Sequence, residues 1–119
     1  MIRIKVVIFT NAYEPIVSGV VTAIRFFRQG LLEKGHKVYV FAPDYRGIDK
    51  ARDRKENIFR FPAVNLSWQL YFPIAIPYYS GLSSLLRQIK PDVIHSHHPF
   101  VLGKVGLRQA RRLGIPLVY

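Results

Sequence analysis

The sequence predicts a doubly wound α/β fold built on a parallel sheet. Three observations predict it. Short apolar, β-branched runs alternate with amphipathic helical stretches. Each helical stretch closes at a glycine or just before a proline. A chain of 119 residues, half of them apolar, can bury the core of one domain. Right-handed crossovers in the order 3-2-1-4-5 then set the first and fourth strands side by side, and the loops leaving those strands meet at the switch point where such sheets hold ligands.

Residues 4–9 are apolar and mostly β-branched apart from Lys5, the mark of a strand covered on both faces. A loop with Pro15 follows, and from Gly19 the pattern turns helical. Val20, Ile24, Phe27 and Leu31 form one stripe, with Arg25, Arg28, Gln29 and Glu33 off it. Gly35 stops this helix, and residues 37–42 make the second strand, closed by Pro43 and Asp44. Residues 45–57 are polar and charged and read as a loop, before a short third strand at 58–61. Residues 62–77 read as a long aromatic loop. Leu82, Leu85, Leu86 and Ile89 share one face of a helix over 81–90, ended by Pro91. The fourth strand spans 92–95. Pro99 is placed to open the next helix, which buries Leu102, Val105, Gly106, Ala110 and Leu113 and ends at Gly114. Residues 115–119 begin a fifth strand with nothing after it to cover its second face. The expectation is an N-terminal piece of a longer protein, the alternative being a partner chain that covers this face.

Composition narrows the function classes. There is no cysteine, which excludes a disulfide framework and thiolate-based zinc or redox chemistry and fits a reducing cytoplasm. Met1 leads straight into a strand rather than a signal peptide, and Pro62, Pro73 and Pro77 interrupt the longest weakly charged stretch, which argues against a membrane span. Eighteen basic against seven acidic residues give a net charge of +11, which favours an anionic partner: nucleic acid, an acidic membrane surface or a phosphorylated ligand.

Two loops carry the candidate chemistry. Ser18 and Gly19 open a helix whose free N–H groups and dipole favour a phosphate or diphosphate, and Gly19 lets a ligand approach the backbone closely. No Gly-x-Gly-x-x-Gly or Walker-type Gly-Lys-Thr is present. Beyond the fourth strand, His95, His97 and His98 crowd into four residues, followed by Phe100. They could ligate a metal, as in a hydrolase using His95 and His97, but adjacent His97 and His98 do not converge readily on one ion. They could be packed and solvated side chains, or the imidazoles could line a polar pocket and hydrogen-bond hydroxyls or phosphates. No serine–histidine–acid or paired-carboxylate arrangement is evident. Trp68, Tyr71 and Phe72, with Arg60 and Arg87, suit a membrane interface or lipid-like acceptor, or else a loop folded onto the sheet edge.

At this point the residues carry a likeness. The stretch Phe9-Thr10-Asn11-Ala12-Tyr13-Glu14-Pro15-Ile16-Val17-Ser18-Gly19-Val20-Val21-Thr22 resembles the first loop and helix of glycosyltransferase family 4. So do Gly30-Leu31-Leu32-Glu33-Lys34-Gly35-His36-Lys37-Val38 with Ala42-Pro43, Lys90-Pro91-Asp92-Val93-Ile94-His95-Ser96-His97-His98-Pro99-Phe100 with Gly103, and Gly114-Ile115-Pro116-Leu117-Val118-Tyr119. The first loop and the histidine run are most similar to members that glucosylate diacylglycerol or mannosylate phosphatidylinositol.

The resemblance implies that residues 1–119 are the N-terminal, acceptor-binding, Rossmann-like half of a two-domain GT-B fold, in a retaining enzyme that moves glucose or mannose from a nucleotide-diphosphate sugar to a lipid, sugar or other acceptor. It implies Ser18 and Gly19 at the donor diphosphate, and Tyr13, Pro15, His95, His97, His98 and Phe100 on the acceptor side, with no metal and no cofactor. The main catalytic motifs and the nucleotide-sugar-binding domain are expected beyond Tyr119, so the piece alone transfers no sugar. Lipid acceptors and positive charge together imply peripheral docking on the cytoplasmic face of an anionic membrane, and no nucleic acid. The competing reading is a stand-alone basic flavodoxin-like module that binds nucleic acid or a protein; it explains the charge but not the ordered motifs.

Overall fold

A computed structural model describes residues 2–64 and 73–119. Eleven elements follow in order: β1 (Lys5–Phe9), α1 (Gly19–Glu33), β2 (Lys37–Pro43), α2 (Lys50–Lys55), β3 (Ile58–Phe61), β4 (Ala63–Val64), β5 (Ile74–Ala75), α3 (Leu82–Ile89), β6 (Val93–Ser96), α4 (Leu102–Leu113) and β7 (Leu117–Val118). Five of the strands form one sheet in the order β3-β2-β1-β6-β7, every pair parallel. This is the 3-2-1-4-5 order expected from the sequence. β1 is the pivot, pairing with β2 on one side and β6 on the other.

Strand alternation divides the core into two layers. Val6 and Ile8 of β1, with Val38 and Val40 of β2, face Val21 and Ile24 of α1. Val7 and Phe9, with Phe41, Phe61 and Ile94, face Leu86 of α3 and Leu102 and Val105 of α4. In the second layer the rings of Phe9 and Phe41 stack at 5.0 Å, as do those of Phe41 and Phe59. Gly106 is what lets α4 lie flush on the sheet. A Cβ there would stand 2.3 Å from the Ser96 hydroxyl and 3.0 Å from the Phe9 ring.

Four expectations need correction. The buried stripe of α1 runs through Val21 rather than Val20, and Phe27 is partly exposed. A 3.6-residue period fits both registers, and contact with the β1–β2 surface decides between them. The charged segment 45–57 holds α2, which has no apolar stripe: the Asp49 side chain caps it, an Arg52–Glu56 pair spans one turn, and Asp53 ties it to β3. Residues 63–64 and 74–75 pair as an antiparallel ribbon instead of lying in an irregular loop. Pro99 does not open α4, which starts at Leu102.

Candidate functional site

The loops after β1 and β6 meet at the edge of the sheet and are hydrogen-bonded to each other. His97 N–H donates to the Phe9 carbonyl at 3.0 Å, continuing the β1–β6 register past the end of the strands. Asn11 then ties the loops together three times. Its backbone N–H donates to His98 Nδ1 at 3.3 Å, its Nδ2 donates to the Phe100 carbonyl at 3.0 Å, and its Oδ1 accepts from Leu102 N–H at 3.0 Å. The last bond caps α4. The residue before that helix, Val101, sits at φ 53° and offers no side-chain cap, so an asparagine from a distant loop satisfies a free N–H. Nothing in the local sequence of either loop announces this role for Asn11.

Gly103 fixes the histidine loop on its other side. A Cβ at this position would overlap the His98 carbonyl oxygen at 1.5 Å, so only glycine allows the loop to fold back on the first turn of α4. Ser96, fully buried, donates to the Gly103 carbonyl at 3.1 Å.

The histidines separate by strand alternation. His95 and His97 fall on the α1 side, their rings 4.2 Å apart, and the edge of Phe27 closes on His95 at 5.2 Å. His98 turns toward Phe100, with ring centroids 5.7 Å apart. Burial lowers the basicity of all three. For His97 burial, reinforced by the neighbouring His95 and His98, brings the pKa down to about 4. Its Nε2 is buried with no hydrogen-bond partner. At neutral pH the cluster is a set of uncharged imidazoles, able to donate to or accept from a hydroxyl but not to act as a cationic clamp. Among the described residues no group of three potential metal ligands converges. Asp92 lies at the far end of β6, where its carboxylate accepts from Lys5 N–H at 2.7 Å.

The first loop contributes differently from its neighbour. Tyr13 is buried, at 2% exposure, under the loop, and burial raises its phenol pKa. Arg60 crosses its ring at 5.9 Å and is held by Asp53 at 2.9 Å, the Pro43 carbonyl at 3.1 Å and the Glu14 carbonyl at 2.7 Å. Tyr13 and Arg60 thus support the loop from beneath, while Pro15 and Gly19 stand exposed. Ser18 caps α1, its hydroxyl accepting from Val21 N–H at 3.2 Å. Gly19 has negative or extended φ, and a Cβ there would meet no protein atom within 4 Å. Neither backbone strain nor packing requires a glycine here, so the space above the helix start is open.

The Glycosyltransferase Family 4 model matches residues 17–119. The chain belongs to glycosyltransferase family 4. Its family 4 relatives include an alpha-monoglucosyldiacylglycerol synthase of Acholeplasma laidlawii, 33% identical over 97% of this chain but 29% of that protein. A GDP-mannose-dependent alpha-mannosyltransferase of Mycobacterium tuberculosis is 33% identical over 99% of this chain and 32% of its own length. The chain therefore spans about a third of the length of the curated relatives it matches. Among solved structures, MurG of Acinetobacter baumannii superposes with a TM-score of 0.55 at 21% identity, covering 95% of this chain and 34% of MurG. That likeness is one of fold, the GT-B architecture.

Within this family 4 domain, sequence reasoning paired the correct two loops. It gave Asn11 and Phe27 no role at the site, and it set Arg60 beside the aromatic segment at a membrane interface, whereas Arg60 is held by Asp53 beneath the first loop. The alternation of a strand does place His95 and His97 on one face, a signal present in the sequence. Trp68, Tyr71 and Phe72 lie outside the described residues, and Arg87 is exposed on α3. Among the described residues, no helix is long and apolar enough to cross a membrane.

Proposed function

We propose that the chain is the acceptor-binding, N-terminal domain of a retaining glycosyltransferase that moves glucose or mannose from a nucleotide-diphosphate sugar to a lipid acceptor. The observation that carries this reading is the fusion of the first loop with the histidine loop through Asn11 and His98. It joins the loop that carries the neutral imidazoles and Phe100 to the loop that runs on to the open helix start at Gly19. The imidazoles of His97 and His98 suit an acceptor hydroxyl, with Phe100, 54% exposed, against its apolar body. Ser18 and Gly19 offer the N-terminus of α1 to the donor diphosphate, and Tyr13 and Pro15 shape the loop between. Stabilising the leaving diphosphate and closing the cleft need a second wall, so this chain alone turns over no nucleotide-sugar.

Membrane docking belongs to the same reading. Lys104, Arg108, Arg111 and Arg112 line the outer face of α4 around a hollow of about 510 Å³, a single-sign surface suited to an anionic leaflet at the cytoplasmic face. Sedimentation with phosphatidylglycerol vesicles and binding to duplex DNA, each in a salt titration, test it. The proposal predicts vesicle binding that persists at physiological salt and is weakened by neutralising these cations. Tighter binding to DNA, or hydrolysis of UDP-glucose or GDP-mannose by the chain alone, would contradict it.

A further inference from the structure

A second hollow, of about 340 Å³, lies between α1 and α2 and shares no residue with the histidine loop. Its charges do not balance. Glu14 is claimed by Arg25 at 3.2 Å and by Arg52 at 3.1 Å, and Arg52 also reaches Glu56 at 3.2 Å. Both carboxylates are thus engaged by two arginines. The third arginine on the wall, Arg28, enters no ion pair among the described residues. Among the described residues its side chain makes one hydrogen bond, a long one of 3.4 Å, to the Glu56 carbonyl. Its Nε is buried without a partner. A half-buried guanidinium with no counter-charge is costly to the fold, and an anion bound beside it would offset that cost.

We infer that this hollow binds a small, singly charged oxyanion on a hydroxylated body, with the anionic group on Arg28. One negative charge completes three cations and two carboxylates. A dianion would overshoot and meet Glu14 and Glu56. The rest of the wall suits hydroxyl groups and one flat face: Thr22 presents a hydroxyl, Gln29 an amide whose Nε2 also donates to Glu33 at 3.1 Å, Phe26 stands with 75% of its surface exposed, and Tyr13 completes the lining. Two chemical sources share this description, a phosphodiester and a sugar carboxylate. The inference is independent of sugar transfer at the switch-point edge, because it uses different residues.

The test is a nitrogen-15 and proton chemical-shift titration of the whole chain with glycerophosphoglycerol and, separately, with glucuronate. Binding is expected from at least one, with shifts at Thr22, Phe26, Arg28 and Gln29 and not at His97 or His98. Arg28→Gln should weaken it about tenfold or more, Arg28→Lys less, and Thr22→Ala should weaken it without touching any ion pair. Lys37→Gln, at the exposed start of β2, controls for the general basicity of the surface and should leave it unchanged. No saturable binding of either probe below about 10 mM, or binding that survives both Arg28→Gln and Thr22→Ala, would overturn the inference. Equal weakening by Lys37→Gln would overturn it as well.

Discussion

Asn11 and His98, 87 positions apart in sequence, are joined by a hydrogen bond from the Asn11 backbone N–H to His98 Nδ1 at 3.3 Å. With Nδ1 accepting, the neutral ring carries its proton on Nε2, so His98 presents a donor away from the loop junction. One residue thereby sets the tautomer of a candidate acceptor contact, anchors its loop and caps the helix that follows.

Replacing Asn11 with alanine removes both side-chain bonds and leaves the Leu102 N–H uncapped. A loss of about 1–2 kcal/mol is expected in urea denaturation, with faster hydrogen exchange confined to the first turn of α4. An aspartate restores the acceptor but not the donor, and should recover part of the loss.

Two glycines at the site should behave in opposite ways. Gly103→Ala drives a methyl into the His98 carbonyl and should cost about 3 kcal/mol or more, through displacement of the histidine loop. Gly19→Ala meets no protein atom and should leave stability within about 1 kcal/mol, on the favourable side. Equal losses at the two positions would show that Gly19 is held by packing after all.

Acidification should destabilise the chain through the histidine cluster. His97 has a folded pKa of about 4, below the 6.5 of an unfolded histidine, so between these values the unfolded chain binds more protons. Its contribution is complete above pH 6.5 and is lost as pH falls toward 4, with His95 and His98 acting in the same direction. A fully buried shift of this size corresponds to ~3 kcal/mol, and the partial exposure of the ring reduces it to about 1–2 kcal/mol. Denaturation midpoints across this range should fall less steeply in His97→Gln than in the parent.

Arg60 and Asp53 form a pair at 2.9 Å with side chains only 10% and 12% exposed. Arg60→Met leaves the Asp53 carboxylate buried without a partner and releases the Glu14 carbonyl, and should cost about 3–5 kcal/mol. The double change Arg60→Met with Asp53→Leu should cost less than the single one, which a double-mutant cycle measures.

The sheet order was legible because each strand is an apolar run bounded by turn residues, and parallel connections leave few topologies. Elements held by distant partners were not. α2 has no apolar period, so only its Asp49 cap and its Arg52–Glu56 spacing hint at it, while Asp53 and Arg60 secure it across the chain. The pairing of Ala63 with Ala75 joins segments twelve positions apart in sequence, farther than a tight-turn signal such as Asn-Gly reaches. α4 begins at Leu102 rather than Pro99 because its cap comes from Asn11. At the site, the crevice was readable from strand order alone, and the histidines from their position. That Tyr13 sits beneath the first loop rather than on its surface follows from Arg60 and the core, which local sequence does not encode.

The central claim is that the joined loops form one wall of an acceptor cleft. The most direct measurement is a comparison of amide shifts in phosphatidylglycerol bicelles with and without diacylglycerol. The account predicts that diacylglycerol adds shifts at Asn11, His97, His98 and Phe100 beyond those that the anionic lipid produces along α4. Identical spectra in the two bicelles, or added shifts only at Lys104, Arg108 and Arg111, would contradict it.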